Sequence, residues 1–295
     1  MKVVPAPGPH GGDGARVAAA LGIDVSQVLD LSASMNPFAP DIAAVIARHL
    51  DALGRYPDPT AATGALAARL GVDRDRVLLT NGGSEAIALL AAAIGGQVTE
   101  PDFSLLPRRG GPRWRSNPNN PSGLLAPSGV EADVWDEAFW PLATGTWTRG
   151  DADAGQWVVG SLTKLLACPG LRAGYVLAPG PADLGPVRGR QPLWSVNGLV
   201  ADALPELLER VDLPSWSEGI AGLRTRLVAL LRTAGLDPAP SDACWVLVHA
   251  PALREELAQH GIVVRDCASF GLAGWARIAV PDERGLDRLA GALPG

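Results

Sequence analysis

From the helical stretches after Ile42 to the aliphatic run ending at Leu177, strand, loop and helix signals alternate along the chain. Strand signals fall at Val77–Leu79, Val98, Arg113–Arg115, Val134–Trp135, Val158–Ser161 and Tyr175–Leu177; helical periodicity covers Ile42–Leu53, Thr60–Leu70 and Ser84–Ala93. Alternation on this scale predicts an α/β sheet, mostly parallel, with helices on both faces. After Asn197 the pattern changes to two long helical stretches, about 198–211 and 214–233. A second alternation closes the chain: strand 245–249, helix 252–259, strands 262–265 and 275–280, helix 283–291. The expected organisation is an arm over 1–40 joining the small domain, a large α/β domain over 41–212 and a small α+β domain over 213–295. With 295 residues, 47% hydrophobic and 19% charged, such a chain suits a soluble globular enzyme.

Lys164 is the only lysine apart from Lys2; the other 23 of 25 basic residues are arginine. An amine forms a Schiff base with an aldehyde, whereas a permanently protonated guanidinium does not. Lys164 follows the buried-strand signal Val158-Val159-Gly160 and the hydroxyls of Ser161 and Thr163, and Arg172 comes eight residues later. An amine, hydroxyls and an arginine are the parts needed to hold a phosphorylated aldehyde such as pyridoxal phosphate. Asn81-Gly82-Gly83-Ser84-Glu85 opens a helix, where unpaired amides and the helix dipole favour a phosphate; the same string also suits a plain turn and N-cap. Asp136, at a strand end, is placed to keep a pyridine nitrogen protonated, and Glu137 reads as a solvated turn or helix start. The turn-dense string 117–123 carries Asn120, an amide donor for a phenolate. Arg277 and Arg265 interrupt apolar strands and ask for an anion, which a substrate or an internal carboxylate can supply.

A net charge of −6 and a pI near 5.2 argue against nucleic acid or an anionic membrane as the main partner. Cys168, Cys244 and Cys267 fit neither a disulfide framework nor a metal-ligand spacing and read as small buried residues; no metal is expected. Without a signal-like opening or an apolar run of ~18 residues, the expected location is the cytoplasm.

In this order the motifs resemble the pyridoxal-phosphate-dependent fold-type I aminotransferase superfamily, and most of all the branch holding histidinol-phosphate aminotransferase and the threonine-phosphate decarboxylase of cobalamin biosynthesis. Three strings carry the likeness to the decarboxylases: 161–164 with 169–175, 194–197 and 265–270. The resemblance implies that Lys164 bonds the cofactor aldehyde, Asp136 pairs with its ring nitrogen, Asn120 meets its phenolic oxygen and Phe103 stacks on the ring. It implies a phosphate cup of Ser84, Ser161, Thr163 and Arg172 with the backbone at Gly83 and Glu85. Tyr56 resembles a tyrosine that crosses to the neighbouring subunit's phosphate, implying a homodimer with shared sites. Arg277 resembles the arginine for the substrate carboxylate, and Arg265, His10 and Asn36 resemble groups around the substrate's own phosphate. The implied reaction is decarboxylation of L-threonine O-3-phosphate to (R)-1-aminopropan-2-yl phosphate. The alternatives are transamination, as in histidinol-phosphate aminotransferase, and a cofactor-binding scaffold without turnover. A nucleotide-binding reading of 81–84 lacks the glycine spacing it requires.

Three departures stand out. Phe139 removes a phenol donor, as in the decarboxylases, and Ser34 stands where an asparagine is common. Only thirteen residues separate Phe103 from Asn117, where the family carries several dozen. The expected result is a sheet truncated at one edge, with Leu105–Gly111 crossing as a tight loop.

Overall fold

The computed structural model describes residues 3–8, 10–98, 100 and 110–293. Its ten strands are β1 Leu29–Leu31, β2 Val77–Asn81, β3 Gln97–Val98, β4 Arg113–Ser116, β5 Val134–Asp136, β6 Trp157–Ser161, β7 Ala173–Leu177, β8 Trp245–His249, β9 Ile262–Asp266 and β10 Trp275–Ala279. The chain divides into two compact units, one of Met1–Phe38, Asn119–Leu125 and Glu218–Gly295, the other of Ala39–Pro118 and Ala126–Ser217.

The larger unit is built on a six-stranded sheet in the order β2-β7-β6-β5-β4-β3. The pairs β3/β4, β4/β5 and β5/β6 are parallel, and β7 runs antiparallel to both β6 and β2. The central strand β6 reads as a near-continuous apolar run with a buried middle, whereas β4 nearer the edge buries only Trp114. Val134, Val158, Val159 and Val176 are buried, as are Leu89, Leu90 and Trp114 packed with them. Each large side chain buried in this way contributes roughly 1.5–3 kcal/mol. Register sets the site: Asp136 lies opposite Val159, Ser161 opposite Gly174 and Asn81 opposite Ala173. The carboxyl ends of β2, β5 and β6 therefore share one edge of the sheet, where α/β proteins bind ligands.

Among the described residues the sheet stops at β3, which is two residues long and pairs parallel with β4. Most of the segment expected to cross as a tight loop, and Phe103 with it, lies outside the described residues.

One helix departs from its sequence signal. Thr60–Leu70 forms as the periodicity predicts, but 42–53 is α-helical only over Ile42–Ile46 and then winds as a 3-10 helix over Ala47–Gly54. Tertiary contacts dominate there. His49 lies between Asp202 and Glu206, Arg55 reaches Asp202, and Gly198 presses so close that a Cβ on it would sit 2.9 Å from the Ala52 carbonyl oxygen. Helix propensity, worth only tenths of a kcal/mol per residue, yields to such constraints.

The smaller unit carries a four-stranded sheet, β1-β9-β10-β8, with β1 and β9 parallel and β10 antiparallel to both neighbours. The helix Leu213–Thr233 presents Leu223, Leu227 and Leu231 to its core at four-residue spacing, against Val246, Val248 and Ile278. The three cysteines are buried and unbridged, and desolvation pushes the thiols of Cys168 and Cys267 up to about 11, which disfavours the thiolate. Among the described residues no helix is long and apolar enough to cross a membrane.

Candidate active site

At the carboxyl edge of the larger sheet lies a cavity of about 180 Å³ lined by Asp136, Lys164, Ser84, Ser161, Thr163 and Arg172, with Gly83, Ile87, Ala138, Val159 and Gly160 completing the wall. Local structure explains the convergence. β6 ends at Ser161 and passes without a loop into the helical turn Leu162–Leu165. Leu162, Thr163 and Leu165 of that turn are buried, while Lys164 reaches the cavity. β5 ends at Asp136, whose Oδ1 accepts the Ala138 N–H at 2.9 Å.

Asp136 lines the cavity and is partly buried. Desolvation pushes its carboxyl up to about 6, opposed by the Ala138 amide and reinforced by the charge of Glu100. A carboxylate in this state gains most from a cation placed against it. Glu137 corrects the sequence reading: it is no solvated turn but 1% exposed, and burial pushes its carboxyl up to about 7. It accepts the Arg149 N–H at 3.2 Å beneath the Arg149–Trp135 stack.

The helix Gly82–Ile94 starts at the cavity, and its opening residues are packed to the limit. A Cβ on Gly82, at φ +78°, would meet Arg172 Nη2 at 2.5 Å. A Cβ on Gly174 of β7 would lie 2.5 Å from the Gly83 nitrogen. Arg172 itself holds φ +56°, the left-handed region that side chains other than glycine rarely occupy. Its guanidinium is thereby laid under the first helical turn, where backbone amides and dipole already favour an anion.

The other expected residues are placed as follows. Glu85 does not line the cavity; its carboxylate accepts from Asn81 N–H, Gln191 Nε2 and Ser195 Oγ. Tyr56 is 76% exposed and stacks on Trp194 at 4.5 Å between ring centroids. In the smaller unit Arg277 and Arg265 are 7% and 3% exposed and occupy directly paired positions on β10 and β9. Like charges on paired positions repel, so an anion on either is favoured. Arg277 Nη1 donates to Asn120 Oδ1 at 2.6 Å, and its guanidinium lies 5.0 Å over the Trp245 ring. Arg265 donates to Ser269 Oγ at 2.9 Å and to the Gly8 carbonyl at 3.3 Å. Asn36 is buried, with Oδ1 accepting the Phe38 N–H, and His10 is exposed.

Sequence reasoning missed the apolar wall of Ile87 and Val159, which has no polar signature, and the side-chain role of Glu85. A carboxylate four residues after the helix-opening Asn81 was a readable sign that it could reach back to the Asn81 N–H. The cavity fits pyridoxal phosphate by the chemistry of its donors: an amine for an aldehyde, a buried carboxyl that gains from a protonated ring nitrogen, and a helix start with hydroxyls and a guanidinium for a phosphate.

Comparison with known proteins agrees. The family profile Aminotransferase class I and II matches residues 133–293. The chain is 28% identical to threonine-phosphate decarboxylase of Salmonella typhimurium, over 96% of this chain and 95% of that one. It is 26% identical to histidinol-phosphate aminotransferase 1 of Dechloromonas aromatica, over 94% and 92%. The fold matches histidinol-phosphate aminotransferase from Sinorhizobium meliloti, solved in complex with pyridoxal-5'-phosphate, with a TM-score of 0.80 at 20% identity over 99% of this chain and 94% of that one. The chain therefore belongs to the class I and II aminotransferase family, pyridoxal-phosphate-dependent enzymes with the fold-type I architecture.

Proposed function

We propose that this enzyme decarboxylates L-threonine O-3-phosphate, releasing CO₂ and (R)-1-aminopropan-2-yl phosphate. The observation that carries the reading is the pairing of Arg265 with Arg277, two buried guanidiniums side by side on β9 and β10, suited to a substrate with two anionic ends. The near full-length similarity to a threonine-phosphate decarboxylase supports it. So does Phe139, which puts no phenol donor where the family often has one.

The bound cofactor supplies an aldehyde for covalent attachment to an amine and a ring that withdraws electrons from the adjacent carbon. The residues of the chain do the rest. Lys164 is the amine that would hold the aldehyde. Asp136 keeps the ring nitrogen protonated. Ser84, Ser161, Thr163 and Arg172, with the backbone at Gly83 and Glu85, would hold the cofactor phosphate. Asn120 donates to the cofactor's phenolic oxygen. Arg277 takes the substrate carboxylate, and Arg265, with His10 and Asn36, its phosphate. Gripping both anionic ends fixes which bond to Cα is presented for cleavage, and that orientation separates loss of CO₂ from loss of the α-proton. Lys164, once it carries the proton given up by the substrate amine, would be the acid that delivers a proton to Cα in place of the carboxylate.

The reading includes a homodimer. Tyr56, Trp194, Leu193 and Leu53 are exposed on the larger unit, apolar surface suited to burial against a second copy, with Tyr56 reaching that copy's cofactor phosphate.

The test is incubation with L-threonine O-3-phosphate, with and without a 2-oxo acid. The expected result is CO₂ and a phosphorylated amino alcohol without the oxo acid. Amine exchange that needs the oxo acid and releases no CO₂ would establish an aminotransferase instead.

A further inference from the structure

Helix starts in this protein are of two kinds, with and without a side-chain cap. Asp41, Asn197 and Asp282 each cap their helices by accepting a backbone N–H of the first turn. Asn81 stands at the N-cap of the cavity helix and makes no such side-chain bond. The first-turn amides are thus not consumed by their own cap. The compensating contact comes from Glu85, whose Oε2 accepts the N–H of Asn81 itself at 2.6 Å. That amide precedes the first turn, so the helix start is tied down while Gly83 and Ser84 remain on the cavity wall.

The same oxygen accepts Gln191 Nε2 at 3.3 Å and Ser195 Oγ at 3.2 Å. Gln191 Nε2 also donates to the Leu79 carbonyl at 2.8 Å. Two residues beyond Ser195, Asn197 Nδ2 donates to the Leu171 carbonyl at 2.7 Å, immediately before Arg172. The stretch 191–197 therefore braces both halves of the putting-together of helix start and guanidinium: Glu85 at one end, the Leu171–Arg172 backbone at the other.

We propose that the Glu85 side chain has a positioning role for the cofactor phosphate, acting through Asn81, Gln191 and Ser195 while its carboxylate does not touch the ligand. The inference rests on the reading that the phosphate sits at this helix start. Electrostatics makes it distinguishable. As a bare charge, a carboxylate one turn from a phosphate weakens phosphate binding. As a strut, it strengthens binding by holding the Asn81–Ser84 backbone in register with Arg172.

The experiment compares apo-protein affinity for pyridoxal phosphate and for pyridoxal, which lacks the phosphate. Glu85→Ala is expected to reduce the preference for the phosphorylated form about tenfold, the order of a lost helix cap, with pyridoxal affinity unchanged. Backbone amides 82–85 should exchange hydrogen faster. Ser195→Ala and Glu85→Gln should shift the preference in the same direction by less, and they carry the test if Glu85→Ala does not fold. Unchanged or tighter pyridoxal phosphate binding in these variants overturns the proposal. Arg172→Ala separates the two levels. If it lowers the preference and the Glu85 variants do not, only the strut is wrong; if it leaves the preference intact, the phosphate lies elsewhere and both ideas fall.

Discussion

Arg277 Nη1 donates to Asn120 Oδ1 at 2.6 Å, and this bond orients the amide. With Oδ1 engaged by a guanidinium, the Nδ2 side of Asn120 is the side that meets an acceptor such as a phenolate. The residue proposed for the substrate carboxylate thus sets the direction of the residue proposed for the cofactor oxygen.

Arg277→Lys keeps the charge and loses the planar fork. The expected outcome is a rise in KM for the phosphorylated amino acid of about tenfold or more, the scale of a lost charge-assisted hydrogen bond, with kcat also reduced because Asn120 loses its anchor. Steady-state kinetics checks it, and unchanged constants would make Arg277 purely structural.

Lys164→Ala should abolish activity and covalent capture of the cofactor while leaving the thermal midpoint of the apo protein close to wild type. The lysine lies on a one-turn helix whose packing is carried by Leu162 and Leu165. Borohydride reduction followed by peptide mass mapping reads the result: the cofactor adduct on 162–172 should vanish, and its persistence would refute the assignment.

Asp136 should make apo-protein stability fall as pH rises from about 4 to about 6. Its folded carboxyl is pushed up to about 6, above the unfolded value of 3.8, so across that window the folded state binds the extra proton. Asp136→Asn should flatten this part of the thermal-melt profile and lower turnover on the order of a hundredfold, as lost electrostatic support does. Glu137, pushed up to about 7, contributes a slope of the same sign reaching higher pH, so Glu137→Gln is the companion variant.

His49 gives a second pH signature. Bonds from Asp202 and Glu206 raise its imidazole above the usual value, with Arg48, Arg55 and Arg210 completing the cluster. A raised histidine contributes stability that is fully present below the unfolded value of about 6.5 and is lost as pH rises through the folded value. The wild-type melting temperature should decline above neutrality more steeply than that of His49→Gln; identical profiles would remove His49 from the account.

Much of this architecture was legible because β-branched runs and apolar periodicity encode strands and helices locally. Thr60–Leu70 and the strand ending at Asp136 needed no tertiary information. The solitary Lys164 was legible as chemistry because an arginine-biased chain has few reasons to keep one amine. What was not legible depends on distant partners. Glu137 sits in a turn-like string, yet the sheet and Arg149 bury it. The Asn119–Leu125 turn groups with the smaller unit because Gly123 and Leu125 bond to Asp242 and Trp245 donates to Pro121, contacts more than a hundred residues away in sequence. The strut role of Glu85 likewise needs Gln191 and Ser195, which no local window contains.

Removing an outer strand from a sheet ordinarily bares a row of donors and acceptors that a stray polypeptide can zip onto. Among the described residues the sheet ends at β3, whose two residues offer few rungs for such a template. Lengthening β3 by engineered valines is the change that should invite a second chain onto this edge and promote aggregation.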